Sequence, residues 1–224
     1  MILTISGVLD AAALSAVREL IPALTWRDGT ETAGETARAV KRNEQADLGS
    51  RSGAALRAQL NAAIEAHPVL RAAAQPKRFA SLIVSRTVAG GGYGRHVDNA
   101  FIGTGAARIR TDLSFTLFLS DPESYQGGEL EIETAGFIQS IKLQPGDLVL
   151  YPSTTLHRVA NVESGERIAC VGWIESLVPD APGREILFDL ENLKASLGTK
   201  HAPQSEEMLV LSKTIANLLR RFSP

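Results

Sequence analysis

Apolar residues recur along this chain in two rhythms, and the rhythm changes twice. Behind Asp10, a side chain suited to cap a helix start, Leu14, Val17, Leu20 and Ile21 form a stripe at helical spacing. Leu56, Leu60 and Ile64 repeat that spacing over about 52–66, and Pro68 and Pro76 interrupt the chain beyond that helix. The polar run Arg27–Glu35 between these helices reads as a loop. From Ser81 the period becomes two. Ser81–Val88 is β-rich, and Thr111–Leu119 alternates Leu113, Phe115, Leu117 and Leu119 with Asp112, Ser114, Thr116 and Phe118. Glu129–Glu133, Phe137–Leu143, Asp147–Tyr151, His157–Asn161 and Arg167–Glu175 continue as strands. Pro145-Gly146 has the chemistry of a type II turn, and Val162–Glu166 has the length of a hairpin loop. From Pro182 the pattern is helical again, with Gly198 as a stop. Pro203 opens a last helix whose stripe is Met208, Leu211, Ile215, Leu218, Leu219 and Phe222.

About eight short strands between helical flanks predict an α+β protein with a jelly-roll core. The expected organisation is an N-terminal helical region over 1–77 packing on a core over 78–178, followed by C-terminal helices over 179–224. The 224 residues suffice for one domain with appendages. With 23 basic against 25 acidic residues, charge gives no case for nucleic acid or an anionic membrane as partner. No apolar run approaches the ~20 residues of a membrane span, and the start lacks the basic and apolar regions of a signal peptide. Cys170, the only cysteine, excludes an intrachain disulfide and fits a reducing, cytoplasmic setting.

The chemistry concentrates in His96-Val97-Asp98, His157 and Arg167. Residues i and i+2 of a strand share a face, so His96 and Asp98 can reach one metal together, with His157 arriving from a nearby strand. Two histidines and a carboxylate hold a divalent iron on one side and leave the other open. A lone strand histidine is usually structural, but the set is not easily read that way. The same donors also fit a hydrolytic zinc site or a structural metal in a non-catalytic jelly-roll protein. No glutamate base adjoins either histidine, which weakens the hydrolase reading. Arg167 heads the face Arg167, Ala169, Val171, Trp173, where a charge is costly to bury unless paired. Either it lies at the strand end and reaches solvent or a surface carboxylate, or its guanidinium fork takes the distal carboxylate of a keto acid, the reading the three metal donors favour.

Gly90–Gly94 reads as a flap or plain turn, with Tyr93 toward substrate; no helix follows it to make a phosphate loop. Arg86 and Arg110 are candidates for an anionic substrate or plain surface residues. His67 and His201 read as surface residues, and Cys170 as a packed one.

Several segments together resemble the PKHD-type hydroxylases. They are Gly94–Ala100, Arg110–Ser114, Gly127–Leu130, Pro145-Gly146-Asp147 through His157-Arg158-Val159, and Trp173–Ser176 through Leu187–Leu190. These are iron(II)- and 2-oxoglutarate-dependent dioxygenases related to the prolyl 4-hydroxylase group. The resemblance implies a distorted double-stranded β-helix flanked by helices. It also implies His96, Asp98 and His157 as iron ligands and catalytic residues, and Arg167 as the 2-oxoglutarate anchor. Dioxygen and an unidentified prime substrate are the implied partners, ascorbate the implied reductant, and iron uptake the implied setting; a homo-oligomer is compatible. Thr87 departs from the family pattern, which leads one to expect an aromatic after Arg86.

Overall fold

The first helical stripe forms as expected in the computed structural model, which describes residues 1–32 and 38–223. Strand β1 (Leu3–Ile5) precedes helix α1 (Ala11–Leu20), and the Asp10 carboxylate accepts from the Ala13 amide at 2.8 Å. Next come β2 (Trp26–Asp28), β3 (Lys41–Arg42) and β4 (Glu44–Ala46). The second stripe drives α2 (Arg51–Ala66), and Pro68 begins a separate α3 (Pro68–Ala74). Beyond it lie β5 (Pro76–Phe79), β6 (Ile83–Val88), β7 (Gly92–His96), β8 (Phe101–Ile102), β9 (Ile109–Arg110) and β10 (Leu113–Phe118). The chain continues through β11 (Tyr125–Gly127), β12 (Leu130–Glu133), β13 (Ile138–Ile141), β14 (Leu148–Pro152), β15 (His157–Val159) and β16 (Val162–Ser176). Helices α4 (Ala181–Leu197) and α5 (Glu206–Phe222) complete it.

Among the described residues the strands form two principal antiparallel sheets. The larger runs β1-β14-β10-β16-β6-β4-β2, with β11 and β5 also paired to β16. The smaller runs β13-β12-β15-β7-β3. Alternation in β10 and β16 divides two buried faces. Leu113, Phe115, Leu117, Ile168, Cys170 and Ile174 pack on Val17 of α1, Leu56, Leu60 and Ile64 of α2 and Leu70 of α3. On the other face Phe118, Val149 and Tyr151 pack with Leu130, Ile132 and Ile141 of the smaller sheet. One sheet is thus sandwiched between helices and a second sheet, with the gap between the sheets left for polar chemistry. Val178, Leu187 and Ile215 tie α4 and α5 into a cluster of their own. Among the described residues no helix is long and apolar enough to cross a membrane.

The Pro145-Gly146 turn closes with the Asp147 amide on the Gln144 carbonyl at 3.1 Å, and Gly146 takes φ +93°. Type II geometry requires that positive φ.

Two expectations are corrected. Residues 1–77 are not only helical: β1, β2, β3 and β4 all join sheets, and the expected loop 27–35 begins as β2. Residues 33–35 of that loop lie outside the described residues. Strands of two or three residues carry no readable period. Nor is Val162–Glu166 a hairpin loop. It is the first third of β16, paired with β11, and the chain has already crossed between sheets at Ala160-Asn161. His157 and Arg167 therefore lie on different sheets that face each other.

Candidate active site

His96 ends β7 and His157 begins β15, and they stand directly opposite each other across that antiparallel pair. Cross-strand partners share a face at close range, and these imidazole centroids are 4.3 Å apart. Each Nδ1–H donates to a carbonyl two residues earlier: Gly94 at 2.8 Å for His96 and Thr155 at 3.0 Å for His157. These bonds fix both tautomers and leave each Nε2 lone pair free. Burial, reinforced by neighbouring His157, pushes His96 down to about 4. At neutral pH it is therefore an uncharged nitrogen donor.

Asp98 sits in the loop beyond β7, so the strand pleat alone does not aim it. The larger sheet holds it instead: Ser114 Oγ of β10 donates to Asp98 Oδ2 at 2.6 Å and lies 2.7 Å from Ser153 Oγ. Asp98 Oδ1 is 4.0 Å from His96 Nε2, and Oδ2 is 3.8 Å from His157 Nε2. These separations are too long for hydrogen bonds. One donor atom from each residue lies within 4.8 Å of the others, around a gap suited to a cation.

A cavity of about 400 Å³ opens on this cluster and runs between the sheets. Arg167 lines it from the inward face of β16 and is only 2% exposed. Its Nε and Nη2 have no hydrogen-bond partner, and neither has the buried Tyr125 hydroxyl. The guanidinium lies 5.4 Å from the Phe118 ring centre. Burial pulls its pKa below the ordinary arginine value, with Tyr125, Tyr151 and Glu129 opposing. A buried cation without an acceptor costs several kcal/mol, so the site is built for an anion.

The other sequence candidates separate cleanly. Tyr93 lies within β7, so Gly92–Gly94 is a central strand and not a flap; its ring stacks on His96 at 3.7 Å. Burial pushes the Tyr93 phenol up to about 12. Thr87 pairs in register with Arg167 and lines the cavity. Arg86 is engaged by Glu44 at 2.7 Å, and Arg110 by Asp112 at 2.7 Å. Neither lines the cavity. His67 stands at the N-cap position of α3 without a side-chain cap bond, His201 lies 3.7 Å from Glu207, and Cys170 is buried in the core. Sequence reasoning passed over Ser114, Tyr125, Lys41, Asn43 and Gln45. Ser114 could have been found, since alternation in β10 already set it on the polar face. The N-terminal three lie in an unbroken polar run that shows no face.

Comparison with known proteins supplies the family. Residues 82–175 match the model of the 2OG-Fe(II) oxygenase superfamily. That stretch contains His96, Asp98, His157 and Arg167. A PKHD-type hydroxylase from Hyphomonas neptunium is 52% identical over 221 residues, covering 99% of both chains. In fold the chain is similar to a Trichoplax adhaerens prolyl hydroxylase solved with a hypoxia inducible factor peptide fragment. That match has TM-score 0.58 at 13% identity and covers 78% of this chain and 83% of the other. It is also similar to HygX from Streptomyces hygroscopicus, solved with nickel and 2-oxoglutarate bound: TM-score 0.54 at 16% identity, covering 78% and 82%. With more than half its residues shared along nearly the whole length of such a relative, the chain belongs to the PKHD-type hydroxylases of the 2OG-Fe(II) oxygenase superfamily.

Proposed function

We propose that His96, Asp98 and His157 hold an iron(II) ion and that Arg167 anchors the distal carboxylate of 2-oxoglutarate. The observation that carries this reading is Arg167 itself, fully buried and unpaired in the same cavity as the three donors. The donor set fits the metal: two imidazole nitrogens and one carboxylate take one side of a divalent iron and leave the other open. When bound, the iron supplies dioxygen activation, coupling decarboxylation of 2-oxoglutarate to succinate with hydroxylation of a substrate C–H bond.

The chain's own residues hold and orient. The Gly94 and Thr155 carbonyls lock the histidine rings, and Ser114 pins the Asp98 carboxylate. Arg167 offers a planar fork to a five-carbon diacid. Leu130, Val159 and Val171 line the cavity and limit water. Of the described cavity residues Asp98 is the one carboxylate, and it faces both histidines. That weakens the reading as a zinc hydrolase of the kind that uses a second carboxylate as general base. Ascorbate as reductant and a substrate connected with iron uptake complete the proposal, supported by the family resemblance.

Anaerobic titration with iron(II) and then 2-oxoglutarate tests the reading. The visible charge-transfer band of an iron–keto-acid chelate should appear, and admission of air should release succinate slowly. Hydrolysis supported by tightly bound zinc, with the iron form inert, would sink it.

Gly128 gives a separate check on Arg167. It holds φ +70°, and a Cβ there would meet Arg167 Cδ at 3.0 Å and Tyr125 Cε2 at 3.1 Å. Strain at such a position costs about 1–3 kcal/mol. Gly128→Ala should lower the urea midpoint and also weaken 2-oxoglutarate binding. Loss of stability with wild-type 2-oxoglutarate affinity would mean the arginine stem is not positioned by this contact.

A further inference from the structure

Residues 41–46 cross from one sheet to the other. Lys41 pairs with Tyr93 at the edge of the smaller sheet, and Gln45 pairs with Ser85 of β6 and Arg27 of β2 in the larger one. Alternation turns Lys41, Asn43 and Gln45 the same way, and all three line the cavity. Asn43 Nδ2 donates to Ser85 Oγ at 2.6 Å, which ties the crossing to β6. Lys41 Nζ lies 5.1 Å from the centre of the Tyr93 ring, which also stacks on His96 at 3.7 Å. The ammonium is thus one aromatic ring away from the donor cluster. Trp173 adds an independent sign of a missing ligand. It lines the same cavity, directly across β10–β16 from Ser114, and its indole N–H is buried without a partner. Buried donors are rarely left so.

We propose that this crossing is the docking wall for the prime substrate, and that the substrate is a small acid whose carboxylate pairs with Lys41. The inference rests on Arg167 being the 2-oxoglutarate anchor, which leaves Lys41 as a second cation in the cavity that the co-substrate does not use. Lys41 is 7% exposed. Burial pulls its amine down to about 8, with Asp28 and Asp98 opposing, so the group is still mostly protonated at neutral pH. A carboxylate reaching a partly desolvated ammonium forms a strong charge-assisted hydrogen bond. Lys41 is a single positive charge with the Asp98 carboxylate lining the same cavity, which suits a monoanion; a phosphate dianion calls for more cationic donors. At about 400 Å³ the cavity must hold both the diacid and the reacting part of the substrate, which leaves room for a unit the size of one amino acid.

The test uses manganese-loaded protein saturated with 2-oxoglutarate under anaerobic conditions. N-acetyl amino acids and the matching N-acetyl amino acid carboxamides are titrated calorimetrically, and the same compounds are assayed for stimulation of succinate release by the iron-loaded protein. At least one acid should bind about tenfold or more tightly than its amide. Lys41→Gln should erase that preference and Lys41→Arg should retain part of it, with 2-oxoglutarate affinity unchanged in both. Stronger binding by tetrapeptide acids than by N-acetyl amino acids would overturn the small-acid assignment in favour of a peptide carboxyl terminus. Equal binding of acids and amides, or of none of them, would overturn the carboxylate assignment. A Lys41→Gln protein that loses 2-oxoglutarate would place Lys41 in the co-substrate site instead. Failure of the wild type to bind 2-oxoglutarate at all would bring down the underlying function as well, so the two failures are distinguishable.

Discussion

Asp98→Ala is expected to yield a folded protein with 2-oxoglutarate turnover reduced to background. The side chain borders a cavity, and its one hydrogen-bond donor, Ser114, keeps a second partner in Ser153 when the carboxylate is gone. Nothing in the packed core depends on it, so the far-ultraviolet spectrum and melting profile should stay close to wild type. Metal retention should not. Without Asp98 the two neutral imidazoles lose the only anionic donor of the cluster. Ser114→Ala should give a graded version, about ten- to a hundredfold in iron affinity, as is usual when the partner of a ligand is removed. Iron content after desalting and succinate formation measure both. Wild-type iron binding in Asp98→Ala would show that the carboxylate is not a ligand.

Arg167→Ala should weaken 2-oxoglutarate binding by roughly ten- to a hundredfold or more, with iron binding little changed. Hydrogen bonds to charged groups contribute on the order of 1.5–3 kcal/mol, and each ~1.4 kcal/mol is tenfold in affinity. Arg167→Lys should fall between, because lysine keeps the charge and loses the fork. Burial adds a second expectation. In the ligand-free protein the guanidinium is buried with two nitrogens unpaired, so Arg167→Met should melt no lower than wild type, and higher if the apolar stem packs well. A variant that gains stability as it loses the diacid would identify the arginine as a residue kept for binding. Calorimetry on manganese-loaded protein reads the affinity. Equal values across wild type, alanine and lysine would place the distal carboxylate on another group, Lys41 being the other cation in the cavity.

The central strands were legible because their alternation is long enough to count. Leu113, Phe115 and Leu117 against Ser114, Thr116 and Phe118 is a face assignment that the packing reproduces. Long helices behind Asp10 and after Arg51 were legible for the same reason. His96, Asp98, His157 and Arg167 could be gathered as candidates from residue type and order, and the structure brings all four to one cavity. Which sheet each belongs to was not legible. The five residues from Val162 to Glu166 have the polarity of a turn, and only pairing with β11 and, at Glu166, with β6, contacts distant in sequence, makes them a strand. Lys41, Asn43 and Gln45 were invisible as a wall because their outward neighbours Arg42 and Glu44 are equally polar. A period appears in a sequence only when its two faces differ.

The crossing at 41–46 separates choosing from reacting. The four residues proposed to manage iron and 2-oxoglutarate fall inside the stretch 82–175 that defines the superfamily, while the crossing falls outside it. Backbone pairing to β7 and β6 sets its path and the Asn43–Ser85 bond adds to it, so its inward side chains can change at small cost to that path. Relatives can therefore inherit the oxidising apparatus intact and diverge in what they oxidise by rewriting three alternate positions on one short span.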